Sequence, residues 1–218
     1  NFHPNGTKLY QARIIPFRGS WVDFTTDIYD CIYTIIDRRR KFPATLLLRA
    51  IGYSSNKDIL EAFGLSKSYK ISNKKNLVNK TLLEDIVNKE TGEVISESGT
   101  AITEKRLHEW KKVGISELTV AVNEESLEVQ MLKNTMEKDP TKSSDDALLL
   151  LYQHLRTGEA PTVDIARKFV EKMFFSTKKY DLGAVGRYRI NKKFNLNAPI
   201  EEPILIRDDF LNVFKYLI

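Results

Sequence analysis

The sequence predicts an α+β protein in which an antiparallel β meander packs with several helices and is interrupted by a small inserted α+β module. Three observations carry that expectation. Near the N-terminus, stretches rich in β-branched and aromatic residues alternate with turn dipeptides. From Leu127 onward the pattern changes to capped, amphipathic helical runs. Charge separates the middle from both ends. Lys and Arg against Asp and Glu number nine to six over residues 1–66, ten to eleven over 67–130, and fifteen to twelve over 131–218. The net charge of +5 therefore resides in the two ends.

The elements follow in order. "LYQARIIPF", "SWVDFTTD" and "CIYTIID" read as strands, with Arg18-Gly19 and Tyr29-Asp30 as the turns of a meander. Pro43 suits the first turn of a helix, where its missing N–H would be unpaired anyway, and Ala44 to Ile51 supplies helix formers up to Gly52. A short helix, Asp58 to Phe63, ends at Gly64. In the middle, "KTLLEDIVNKETGEVIS" carries a Thr91-Gly92 turn between two strand-like runs, "ITEKRLHEWKKVG" is a short amphipathic helix, and "ELTVAV" is a strand. Further on, "SSDDALLLLYQHLRTG" has Ser143 or Ser144 as N-cap and two aspartates in its first turn, where the helix dipole favours negative charge. "TVDIARKFVEKMFF" repeats this grammar with Thr162 as cap, and "RDDFLNVFKYLI" closes the chain as an amphipathic helix. No internal repeat at a fixed period occurs.

These readings place residues 1–66 and 131–218 in one discontinuous domain, with 67–130 inserted as an external module. A stable host tolerates such an insertion because loop-closure entropy grows only slowly with length.

Composition sets the outer bounds. A chain of 218 residues with 42% hydrophobic content can bury one sizeable core or two smaller ones. No apolar run approaches the roughly 18 residues that a membrane span needs. The single cysteine, Cys31, rules out an internal disulfide and thiol-pair metal sites, and a reducing cytoplasm is the expected compartment. The first residue is Asn1 and nothing resembles a secretion signal, so the chain reads as a fragment of something longer.

A search for chemistry finds little of its own. His3, His108 and His154 have no partner at metal-ligand spacing, and the last two fit helix surfaces. Asp145-Asp146 and Asp208-Asp209 fall in helix first turns, where the dipole explains them; Glu201-Glu202 is the remaining acidic pair. Phosphate-loop, dinucleotide and nucleophile-elbow motifs are absent, and the two glycines of "GAVGRY" follow no strand pattern. No catalytic residue and no metal or cofactor ligand is assigned.

What remains is basic residues mixed with aromatics at three places. "PFRGSW" offers Arg18 and Trp21; "DRRRK" offers Arg38, Arg39, Arg40 and Lys41 at a strand-to-helix junction; "KKYDLGAVGRYRINKKF" offers Lys178, Lys179, Tyr180, Arg187, Tyr188, Arg189, Lys192 and Lys193. Nucleic-acid binders use this mixture, because the cations neutralise phosphates and release counterions while a flat ring stacks on an exposed base. The alternative is that Trp21 is core, the arginines pair with Asp37 and Asp23, and the lysines form an ordinary solvated face. Composition does not separate the two readings.

A resemblance bears on the choice. "LYQARIIPFRGSWVDF" through "IDRRRKFPATLLLRAIGY", Leu9 to Tyr53, and "MFFSTKKYDLGAVGRYRINKKFN", Met173 to Asn195, resemble the lobe region of the β subunit of bacterial multisubunit RNA polymerase. Between them, "DPTKSSDDALLLLY" and "LRTGEAPT", Leu155 to Thr162, fall in the order that the family shows. The module at 67–130 lies where the family carries insertions of variable size. The resemblance implies a lobe forming one wall of the downstream DNA cleft, in contact with duplex DNA and the non-template strand. It implies that Trp21 stacks on an unpaired non-template base, that Arg38, Arg39 and Arg40 correspond to the family's arginine run, and that Arg187 matches the arginine of its D-L-x-x-x-G-R motif. Arg18, Lys41 and Arg189 complete the DNA-contact candidates. The resemblance also implies that part of the binding pocket comes from outside this chain.

On that resemblance the lobe does no bond chemistry. The family's Mg2+ ions belong to the other large subunit, this chain has no D-x-D-x-D pattern, and alone it is expected to be inactive in nucleotidyl transfer. The expected partners are DNA, the β′, α and ω subunits and a sigma factor, in a nucleoid-associated cytoplasmic enzyme. A second function class is a protein interaction module docking transcription factors through residues 67–130, whose near-neutral surface permits it. An independent hydrolase or nuclease ranks last, for want of clustered carboxylates or a nucleophile with its base.

Overall fold

The computed structural model describes residues 3–156, 158 and 160–218; Thr157 and Glu159, which belong to the Leu155–Thr162 motif, lie outside the described residues, as do Asn1 and Phe2. The chain forms two compact units, Asn1–Ser54 with Met131–Ile218, and Ser55–Gln130.

The first unit begins with the expected meander. Strands β1 (Gln11–Ile14), β2 (Val22–Thr26), β3 (Ile32–Ile36) and β4 (Lys41–Pro43) form one antiparallel sheet in that order. Register sets Ile14 beside Val22 and Val22 beside Ile36, so the buried aliphatics align across the sheet. Helix α1 (Ala44–Ala50) follows directly, with Pro43 as its N-cap at φ −56° rather than inside its first turn. The run "DRRRK" is therefore a hairpin turn between β3 and β4, not a strand-to-helix junction. Asp37 and Arg38 take φ of 50° and 57°, and the Arg39 N–H donates to the Ile36 carbonyl at 2.9 Å. Successive left-handed residues give a turn whose twist suits the strands it joins.

The second unit contains α2 (Asn56–Phe63), β5 (Ser66–Lys70), α3 (Lys74–Leu77), β6 (Ile86–Val87), β7 (Val94–Ser96), α4 (Glu104–Lys112) and β8 (Glu117–Ala121). β5 pairs with β8 and β6 with β7, both antiparallel. The Thr91-Gly92 turn is present, with Gly92 at φ 73° donating its N–H to the Asn88 carbonyl. A core of Leu77, Leu82, Ile102, Trp110 and Val120 holds the unit together. Ser55 caps α2 reciprocally with Asp58. Since α2 packs on β5 and β8, the chain passes into this unit at Ser55, ahead of the Ser66 that charge suggests.

Helix α5 (Leu127–Lys138) leads back to the first unit, which ends with α6 (Ser144–Leu155), α7 (Val163–Phe174), α8 (Gly183–Phe194) and α9 (Arg207–Leu217). Ser143 and Thr162 cap α6 and α7, each hydroxyl accepting a backbone N–H three residues on. α6 packs on α1 and α7, while α9 lies on β1 and β2. Aromatic edges fill the core: Phe24 meets Phe214 at 5.0 Å between ring centres, and Phe174 meets Phe210 at 5.2 Å. Among the described residues, no helix is long and apolar enough to cross a membrane.

Candidate nucleic-acid interface

The residues that flank Trp21 are brought together from both ends of the chain. Arg18 forms a two-way backbone bridge with Asp181, its N–H donating at 3.0 Å and its carbonyl accepting at 2.7 Å, and its guanidinium donates to the Thr177 carbonyl at 3.1 Å. Gly19, at φ 129°, lies against the Tyr180 ring; a Cβ there would fall 2.6 Å from a ring carbon. Only glycine supplies both the backbone angle and the clearance. Tyr180 is itself fully buried, and burial with Asp209 nearby pushes its hydroxyl well above the ordinary tyrosine range. The "RGSW" turn is thus seated on a rigid aromatic floor supplied by the segment before α8.

Trp21 is half-buried, and two guanidinium groups stand over its ring, Arg38 at 5.5 Å and Arg13 at 5.8 Å from its centre. Arg13 is anchored by an ion pair with the buried Asp23, its register partner on β2. Asp37 binds the Trp21 backbone twice: its carboxylate accepts the Trp21 N–H at 2.8 Å and its own N–H donates to the Trp21 carbonyl at 3.0 Å. The Asp23 and Asp37 carboxylates thus serve Arg13 and the Trp21 backbone.

Arg38, Arg39, Arg40 and Lys41 are all exposed along the β3–β4 hairpin. Among the described residues, none of Arg38, Arg40 and Lys41 pairs with a carboxylate. Arg39 donates to the Leu155 carbonyl at the C-terminal end of α6, a position that favours a cation. Lys41 lies 3.9 Å above the Tyr33 ring centre. Near Arg40, burial first and the arginine's charge second lower the pKa of His154.

The structure corrects one candidate. Arg187 is completely buried: it forms an ion pair with Asp209 at 2.8 Å and donates to the carbonyls of Glu202 and Ile204, so its guanidinium faces the interior rather than a phosphate. Arg189, two residues on, is exposed and lines a groove of about 690 Å³ between Gln11–Phe17 and one face of α8. Arg13 and Lys193 line the same groove, and Lys193 lies 3.8 Å above the Tyr216 ring centre.

Two exposed arginines that stand over aromatic rings are not among the sequence candidates. Arg13 is one; its signal is a cation set directly across the strand pair from Asp23. Arg156 is the other; it follows the carbonyl that Arg39 binds and stands 5.3 Å over the Phe169 ring.

Comparison with known proteins identifies a family over the whole chain. The family model described as RNA polymerase Rpb2, domain 2, matches residues 1–119 and 113–218. DNA-directed RNA polymerase subunit beta of Flavobacterium psychrophilum is 40% identical over 100% of this chain and 19% of its own length. The same subunit of Bacteroides thetaiotaomicron is 42% identical over 99% of the chain and 18% of its length, and that of Christiangramia forsetii 42% over 100% and 19%. The chain thus spans 18–19% of the length of these relatives.

Proposed function

This chain belongs to the RNA polymerase Rpb2, domain 2, family, and from that membership we propose that it serves as the lobe of a DNA-directed RNA polymerase β subunit. In this reading it lines the downstream DNA cleft, contacts duplex DNA and the non-template strand, and does no bond chemistry itself. Nucleotidyl transfer and its Mg2+ ions belong to the assembled enzyme through the other large subunit, and the partners are the β′, α and ω subunits, sigma factor and DNA in the cytoplasm.

The observation that carries the reading is the grouping around Trp21. An indole with the Arg13 and Arg38 guanidiniums within 6 Å of its ring centre, beside a hairpin bearing Arg39, Arg40 and Lys41, combines a stacking ring with a row of cations. Arginine suits the work because its weakly hydrated, planar head grips phosphate and still stacks. Interactions of this kind position nucleic acid without reading its sequence, so duplex can advance past them at every step of the enzyme. Exposed Arg18 and Arg189 extend the basic surface.

The test uses polymerase assembled with the full-length subunit. Arg38→Ala combined with Arg40→Ala is expected to shorten open-complex lifetime and to flatten its dependence on salt by about one unit of logarithmic slope for each phosphate no longer neutralised. An unaltered slope takes the hairpin out of the DNA path.

A further inference from the structure

We propose that Asp37 is a positioning residue: it fixes the Trp21 ring and the Arg38 guanidinium as one preorganised unit. The proposal rests on the reading of Trp21 as a base-stacking surface and assigns the group that orients it.

Asp37 sits where the two halves of that unit meet. Its carboxylate accepts the Trp21 N–H at 2.8 Å while its own N–H donates to the Trp21 carbonyl at 3.0 Å, so both backbone groups of Trp21 are held by one residue sixteen positions away. The same residue, at φ 50°, opens the left-handed pair that continues into Arg38 at φ 57°. That backbone path carries the Arg38 guanidinium to 5.5 Å from the Trp21 ring centre. Left-handed φ is costly for most side chains, and aspartate and asparagine tolerate it best after glycine. Asp37 therefore meets two demands, a turn conformation and a side-chain acceptor, and different substitutions separate them. Asparagine keeps both, glycine keeps the turn without the acceptor, and alanine keeps neither.

The experiment is a double-mutant cycle on the assembled polymerase, reading open-complex lifetime and cross-linking of a photoreactive non-template base to the enzyme. Trp21→Ala is expected to shorten the lifetime about tenfold or more, the size of one base stack. Asp37→Gly is expected to shorten it about threefold to tenfold, with Asp37→Asn within about twofold of the parent, because only the first removes the acceptor. In the Trp21→Ala background, Asp37→Gly should change neither readout further. An equal Asp37→Gly effect in both backgrounds overturns the proposal, since the residue would then act through something other than Trp21. Unchanged lifetime in Trp21→Ala alone overturns the stacking reading, and the positioning role falls with it. A drop in thermal midpoint shared by Asp37→Gly and Asp37→Asn also overturns it, by assigning the residue to stability.

Discussion

The two units treat charge differently: both carry exposed ion pairs, Arg167–Asp145 being one in the first, but among the described residues only the first also buries them. The unit of Asn1–Ser54 with Met131–Ile218 buries two arginine–aspartate pairs in its interior. Arg187 and Asp209 are both fully buried at 2.8 Å, and Asp209 also accepts the Ile206 N–H. Arg49 and Asp139 meet at 3.2 Å, with Asp139 accepting further bonds from Thr45 and from the hydroxyl and N–H of Thr141. The Ser55–Gln130 unit keeps its ion pairs at the surface: Lys57–Glu84 is about one-third exposed and Lys74–Glu104 about two-thirds. Its interior is apolar around Trp110, whose indole N–H donates to Ser96 Oγ. Buried pairs are poor sources of net stability, but they fix geometry tightly, because removing one partner strands the other in a dry interior. Arg49 also donates to the Ser54 carbonyl, so one network ties the residue where the chain leaves the first unit to Asp139, where it has returned. The chain's exit from and return to the unit that carries the DNA-contact candidates are thereby tied together.

The largest expected effect lies with the first pair. Arg187→Ala is expected to destabilise the first unit by about 3–5 kcal/mol in denaturant unfolding, since Asp209 would be left charged and buried. That is a large share of the roughly 5–15 kcal/mol typical of a domain. Replacing both partners, Arg187→Met with Asp209→Leu, is expected to recover most of the deficit. A single-substitution cost below about 1 kcal/mol would erase the contrast between the units.

Trp110→Ala comes next. Removing a fully buried indole from a small core is expected to cost about 3–5 kcal/mol, toward the lower end where the shell can collapse into the space. Its distribution is the sharper readout. Hydrogen exchange should accelerate across Ser55–Gln130 and remain slow in the meander, if the two units hold themselves together independently. Reduced protection in both would show them to be one cooperative body.

The same contrast explains what the residues disclose in advance. β2 and β3 are legible because their inward positions are Val22, Phe24, Ile32 and Ile36, and the caps at Ser143 and Thr162 are legible because capping chemistry is local. Helix α8 is not legible. Its only buried residue is Arg187, so the position that should signal an apolar face carries a charge, and its two glycines lower helix propensity. The misassignment of Arg187 has the same origin: a motif match supplies a residue type, while burial depends on Asp209, which lies 22 positions on. β5, "SKSYK", gives no strand signal because its pairing with β8 is supported by a Ser68–Thr119 hydroxyl pair rather than by branched apolar residues. In the candidate site, the ring and the arginine run are visible. Their arrangement depends on left-handed backbone at Arg38, which nothing in an arginine announces.

The smallest expected effect completes the comparison from the other side. Lys57 and Glu84 lie 3.0 Å apart with side chains 30% and 36% exposed, and the hydrogen bond to Glu84 raises the lysine pKa, the direction an attractive contact gives. Water still competes for both groups, and holding two long side chains in one geometry costs rotamer entropy. A double-mutant cycle of Lys57→Ala and Glu84→Ala should therefore return a coupling of only about 0.2–1 kcal/mol, declining with added salt. Lys74–Glu104, more exposed still, should fall at the bottom of that range. A coupling above about 2 kcal/mol for Lys57–Glu84 would mean that this pair works in a drier environment than its exposure indicates, and the Ser55–Gln130 unit would then share the first unit's dependence on fixed charge.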